Sequence, residues 1–199
     1  MKPRTGLLLL IPLLGFSSLA EAHSPVKGIG NFYNGMLHPL LVPAHLISLI
    51  ALGLLAGQQG LPHMRTCMAG FCLALLVGLG LGNTLPEATL ETTLLATSAV
   101  LCGLVALQLS LPAWMLGLPA LLCGLFLGMD SSPESLRGSL AVLACMGTAL
   151  GASLVLLVLS SLAEWLRTPL QRMAIRIVAA WLGASSILVL SLALAPIKG

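Results

Sequence analysis

Phe32-Tyr33-Asn34-Gly35-Met36-Leu37-His38-Pro39-Leu40-Leu41-Val42-Pro43-Ala44-His45-Leu46 opens the first long apolar run of the chain and carries two of its four histidines. Imidazole ligates first-row transition metals, and an ionisable ring facing hydrocarbon is costly, so two at membrane depth need a reason, of which ion passage is the usual one. Seven helical steps of about 100° return to within about 20° of the same face, which places His38 and His45 on one side of a helix, yet their α-carbons would stand roughly 10 Å apart along its axis. Pro43 lacks an N–H and its ring clashes one turn back, which predicts a bend or interruption between the histidines. Such a bend would bring the rings together or leave them as successive stations on a path. The plainer reading has His38 capping a helix at headgroup level and His45 bonding a neighbouring helix.

The rest of the sequence is of the same character. Hydrophobic residues make up 58% and charged residues only 8% of the 199, with a mean hydropathy of +1.06. Globular domains carry roughly 25% charged residues. The expected fold class is therefore all-α: a polytopic membrane helical bundle of about six spans of ~20 residues, following an N-terminal signal peptide. The net charge of +3 includes no basic run, so nucleic acid is not an expected partner; the lipid bilayer is.

Lys2 and Arg4, the apolar stretch Gly6 to Leu19 and the small-residue site Ala20-Glu21-Ala22 read as a secretory leader over residues 1–22. The remainder, 23–199, reads as one transmembrane domain. Cleavage after Ala22 would make His23 the new N-terminus, where a free α-amine beside an imidazole can capture a metal; an incidental histidine on a disordered end is the competing reading.

Apolar runs predict helices at about 36–57, 66–82, 87–109, 112–129, 138–162 and 173–195, separated by Gly60-Leu61-Pro62, Asn83 to Pro86, Leu111-Pro112, Ser131-Ser132-Pro133 and Thr168-Pro169. Arg167, Arg172 and Arg176 precede the last helix, and the excess of cations in cytoplasmic loops places that loop inside. Both termini then face outward. Four helices carry Gly-xxx-Gly steps, Gly53/Gly57, Gly78/Gly82, Gly124/Gly128 and Gly147/Gly151, which allow close backbone approach. Plain packing explains them. The five cysteines lie in or beside apolar runs with no paired spacing, which suits small packing residues rather than a disulfide framework.

The His38-Pro39 pair, His45, the flanking Leu40 and Leu41 and the following Gly53 together resemble the first helix of the HupE/UreJ family of nickel and cobalt permeases, from which this sequence departs at Ala44, where an Asp is expected, and at Val42, where a Gly is expected. The family's second motif, two His-Gly steps followed by Glu, falls near Cys123-Gly124-Leu125-Phe126-Leu127-Gly128-Met129-Asp130; the glycines and an acid are present and both histidines are absent. In the third helix the resemblance points to a Glu and a Ser with a Gly five residues beyond, matched by Glu91, Ser98 and Gly103. What the resemblance implies is a secondary permease for Ni2+ or Co2+ in the bacterial inner membrane, with no tightly bound cofactor.

The metal-site candidates are accordingly His38, His45, His23 and Glu91, the last also readable as an interfacial acid facing water. Asp130 and Glu134 read as a solvated loop, and His63 as a solvated loop histidine that could receive a departing ion. A serine-protease reading of Gly183-Ala184-Ser185-Ser186 fails because no histidine follows the serines to act as general base. The chain is therefore not expected to be an enzyme, and without a nucleotide-binding loop any transport is expected to be secondary or to depend on other subunits. The alternative function is a membrane subunit that conducts no ion and serves a partner through its helices; a homo-oligomer and a membrane partner subunit both stay open.

Overall fold

The computed structural model describes residues 28–133 and 136–195; the leader, His23 and Glu134 lie outside them. The described residues form seven helices and no strands: α1 (Asn31–Leu41), α2 (Pro43–Gln59), α3 (Leu61–Leu81), α4 (Glu87–Leu107), α5 (Ala113–Asp130), α6 (Ser139–Trp165) and α7 (Pro169–Leu194). Helices α3 to α7 are each long and apolar enough to cross a membrane, and α1 with α2 qualify together as a bent pair. Their outward faces are lined with large apolar side chains such as Leu76, Val100, Leu150, Val158 and Leu188. Exposure of that kind suits hydrocarbon as the surrounding solvent.

The first apolar run is therefore two helices meeting at an angle of 71°. The cause is local. A proline ring crowds the residue before it out of the α region, and Val42 adopts φ −87° and ψ 115°, serving at once as the end of α1 and the start of α2. Elsewhere prolines expected to separate helices begin them instead. Pro62 lies in the first turn of α3 and Pro169 in that of α7, where a missing N–H costs nothing. At α7 the Thr168 hydroxyl accepts from the Gln171 N–H at 3.3 Å while the Gln171 side chain accepts from the Thr168 N–H at 3.1 Å. This reciprocal cap starts the helix four residues before the expected 173.

Glycine decides which helices pair. A Cβ on Gly35, Gly147 or Gly151 would strike the backbone carbonyls of Ala144, Phe32 and Met36 respectively, so α1 and α6 touch backbone to backbone. Gly78, Gly124 and Gly128 do the same between α3 and α5, and Gly53 and Gly57 seat α2 on α6 near Leu159 and Ser160. Close approach of this sort gains dispersion contacts that lipid chains do not supply. Gly82, by contrast, ends α3 at φ +66° rather than packing a helix. The core runs through Leu49, Leu52, Leu55, Phe71, Leu75, Leu101, Leu127 and Leu156, all essentially inaccessible.

Candidate metal centre

The break at Val42 turns α1 aside from the axis of α2 and brings the two histidines together. The His38 and His45 ring centroids are 5.3 Å apart, with the planes inclined by 63°. A straight helix would have held them about 10 Å apart. Glycine packing fixes the parts from two sides: α1, which carries His38, is pinned to α6, while α5 is pinned to α3 through Gly124 and Gly128.

The last residue of α5 completes the cluster. Asp130 is 8% exposed and its carboxylate Oδ2 lies 2.8 Å from His45 Nε2. This corrects the expectation that Asp130 belongs to a solvated loop. One ligating atom from each of His38, His45 and Asp130 lies within 4.8 Å of the other two, the one group of three or more such side chains among the described residues. Glu91 lies exposed on α4 and does not join it.

His45 is fully buried. With its Nε2–H donated to the carboxylate, Nδ1 carries the lone pair, and no hydrogen-bond donor reaches that atom. A buried acceptor left without a partner is costly. An ion at Nδ1 answers that cost while Asp130 orients the ring through Nε2, the usual carboxylate–histidine–metal arrangement; an ion between Nε2 and the carboxylate would instead leave Nδ1 to carry the ring proton. Below the ring, the Ser48 hydroxyl donates to the His45 carbonyl at 2.8 Å, fixing the first turn of α2.

The field at the cluster favours a cation. The C-terminal ends of α1 and α5 each contribute about half a negative charge and the N-terminal end of α2 about half a positive one. The Asp130 carboxylate adds to the negative side. Two imidazoles and one carboxylate form a borderline nitrogen and oxygen donor set, which suits first-row divalent ions.

The family profile described as HupE / UreJ protein matches residues 11–190 of the chain. The chain belongs to the HupE/UreJ family. That family is one of nickel and cobalt transport-related membrane proteins, and with helices of spanning length the chain is a multi-pass membrane protein. No curated protein and no solved structure matches it. Within the HupE/UreJ frame the departure at Ala44 acquires a physical reason. Ala44 is buried with Leu94 and Leu95, and Ile47 and Phe126 pack against the group; a carboxylate there would be surrounded by hydrocarbon. The acid of the cluster is instead supplied by Asp130, the acid that closes the remnant of the second motif.

His63 is half-buried and bonded, not solvated: its Nε2 lies 2.9 Å from the Leu111 carbonyl. The Ser185 and Ser186 hydroxyls both donate to carbonyls of their own helix, Trp181 and Leu182. Cys67, Cys102 and Cys123 are buried free thiols within the apolar core.

Proposed function

We propose that the protein is a secondary permease for a divalent transition-metal ion, nickel or cobalt, and that His38, His45 and Asp130 hold the ion in transit. One observation carries the reading: a broken first helix and the end of α5 converge three donor side chains on one spot, with His45 Nδ1 buried and unpartnered there. Discontinuous helices whose ends face an ion are a recurrent device of secondary transporters. Three donors leave part of an ion's coordination shell to water, so the ion need not be stripped fully to enter or leave. A site that holds an ion weakly enough to release it is what passage requires.

In this reading the protein lies in the bacterial inner membrane with both ends of the mature chain outside. The cations Arg167, Arg172 and Arg176 before and within the start of α7 support that orientation. The cluster then sits near the outer rim, and His23 serves as an external capture group.

Uptake by cells tests the proposal. Cells expressing the wild-type protein should accumulate radiolabelled nickel or cobalt above an empty-vector control, and H38A, H45A and D130A should each return accumulation to that control at equal protein levels. Equal accumulation by mutant and wild type would favour a membrane subunit that conducts no ion.

A further inference from the structure

At the end of the bundle opposite the metal cluster, side chains from three helices reach the last turn of α4 and the segment joining it to α5. Gln59, the last residue of α2, donates from Nε2 to the Leu109 carbonyl at 2.6 Å and accepts through Oε1 from the Leu111 N–H at 3.2 Å. His63, in the first turn of α3, donates from Nε2 to the Leu111 carbonyl at 2.9 Å. Arg176 of α7 donates from Nε to the Ala106 carbonyl at 2.8 Å. Gln108 between them takes the left-handed conformation at φ 53°. Three polar contacts therefore hold the backbone of the connection itself, and a fourth holds the last turn of α4.

We infer that Gln59 and His63 form a latch that closes this end of the bundle, the counterpart of the His45–Asp130 contact at the other end; the inference rests on the permease reading for its purpose. Helix α5 is joined to α2 by polar contacts at both of its ends, by Asp130 to His45 and through Leu109 and Leu111 to Gln59. Its close backbone packing is with α3 instead. A helix packed backbone to backbone on one neighbour and joined to another by polar contacts near its two ends is able to release one end while keeping the other. Alternating access needs that property.

The closed latch is also held narrowly. Gln58 Nε2 and His63 Nδ1 are buried beside it with no hydrogen-bond partner, and opening would offer both to water. Unpartnered buried groups raise the free energy of the closed state and leave the open one accessible.

A native thiol reports on the latch. Cys67 lies one helical turn beyond His63 on nearly the same face of α3 and is fully buried. In the purified full-length protein in detergent, maleimide labelling of Cys67, read by peptide mass spectrometry, should be slow in the wild type. In the double variant Q59L/H63A it should accelerate about tenfold or more, as expected for the loss of the three hydrogen bonds guarding a local opening. H63Q retains an N–H donor and should label at the wild-type rate. Cys123, deeper along the bundle, should stay protected in every variant, and the thermal unfolding transition should persist.

An unchanged Cys67 rate in Q59L/H63A would overturn the latch. So would equal labelling of Cys123 accompanied by loss of the unfolding transition, since the contacts would then be merely structural. Labelling requires no metal, whereas nickel titration of the same variants reads the distant cluster. Absence of nickel binding with selective Cys67 labelling would sink the permease reading and leave the latch standing.

Discussion

His45 and Asp130 stand 85 positions apart in the chain and meet at 2.8 Å, imidazole nitrogen to carboxylate oxygen, with both side chains out of solvent. The contact joins the start of α2 to the end of α5 and places His38, across the Val42 break, beside them. The two roles of Asp130, holding the ring and offering an oxygen to an ion, separate by mutation. In D130N the amide oxygen still accepts from His45, so the melting temperature should stay within a few degrees of wild type. The lost negative charge should weaken nickel binding about 10- to 100-fold, the range typical of a disturbed metal-site carboxylate. Calorimetric titration and a thermal melt on the same preparation check both halves.

Helix geometry at Val42 should matter as much as the donors themselves. P43A removes the ring that forces Val42 into extended backbone and allows α1 and α2 to continue as one helix, which carries the histidines back toward a separation of about 10 Å. All three donors remain in the sequence, yet nickel affinity should fall by about tenfold or more. Retained affinity in P43A would mean that packing of α1 on α6 alone sets the bend.

Glycines at helix contacts should divide sharply from glycines that face open space. G147L and G128L place side chains into the carbonyls of Phe32 and Leu75, and overpacking of this kind costs about 1–3 kcal/mol or more. A Cβ at Gly103 meets nothing within 4 Å, so G103A should be neutral or stabilising by up to about 1 kcal/mol through helix propensity. Thermal melts in a common detergent rank the three.

Removal of the Thr168 cap offers a local control far from the metal cluster. T168A deletes the hydroxyl that accepts from the Gln171 N–H and should cost about 1 kcal/mol. Nickel affinity should not change. Lowered affinity would link the start of α7 to the cluster in a way the contacts do not.

The architecture was legible in the sequence because membrane spans are written in runs of apolar residues that local composition reveals. Pro43 announced the interruption of the first run, and the Gly-xxx-Gly steps at Gly53, Gly124 and Gly147 marked true close contacts. Asp130 was misread for a reason equally physical: its neighbours Ser131, Ser132 and Pro133 have loop character, and no local pattern tells that a helix end is folded against a histidine 85 positions away. The resemblance of Gly124, Gly128 and Asp130 to a motif remnant was the available signal. His63 was missed likewise, because its acceptor is a backbone carbonyl, and backbone partners leave no trace in side-chain composition. The start of α3 at Leu61 escaped because Pro62 ends helices from within but begins them from the first turn.

X-ray absorption spectroscopy of the nickel-loaded protein tests the central claim most directly, because it reads the atoms around the ion. The account predicts nitrogen and oxygen neighbours with multiple scattering from two imidazole rings, falling to one ring in H38A and in H45A. A sulfur-dominated shell from the buried cysteines, or a spectrum unchanged by either histidine substitution, would contradict it.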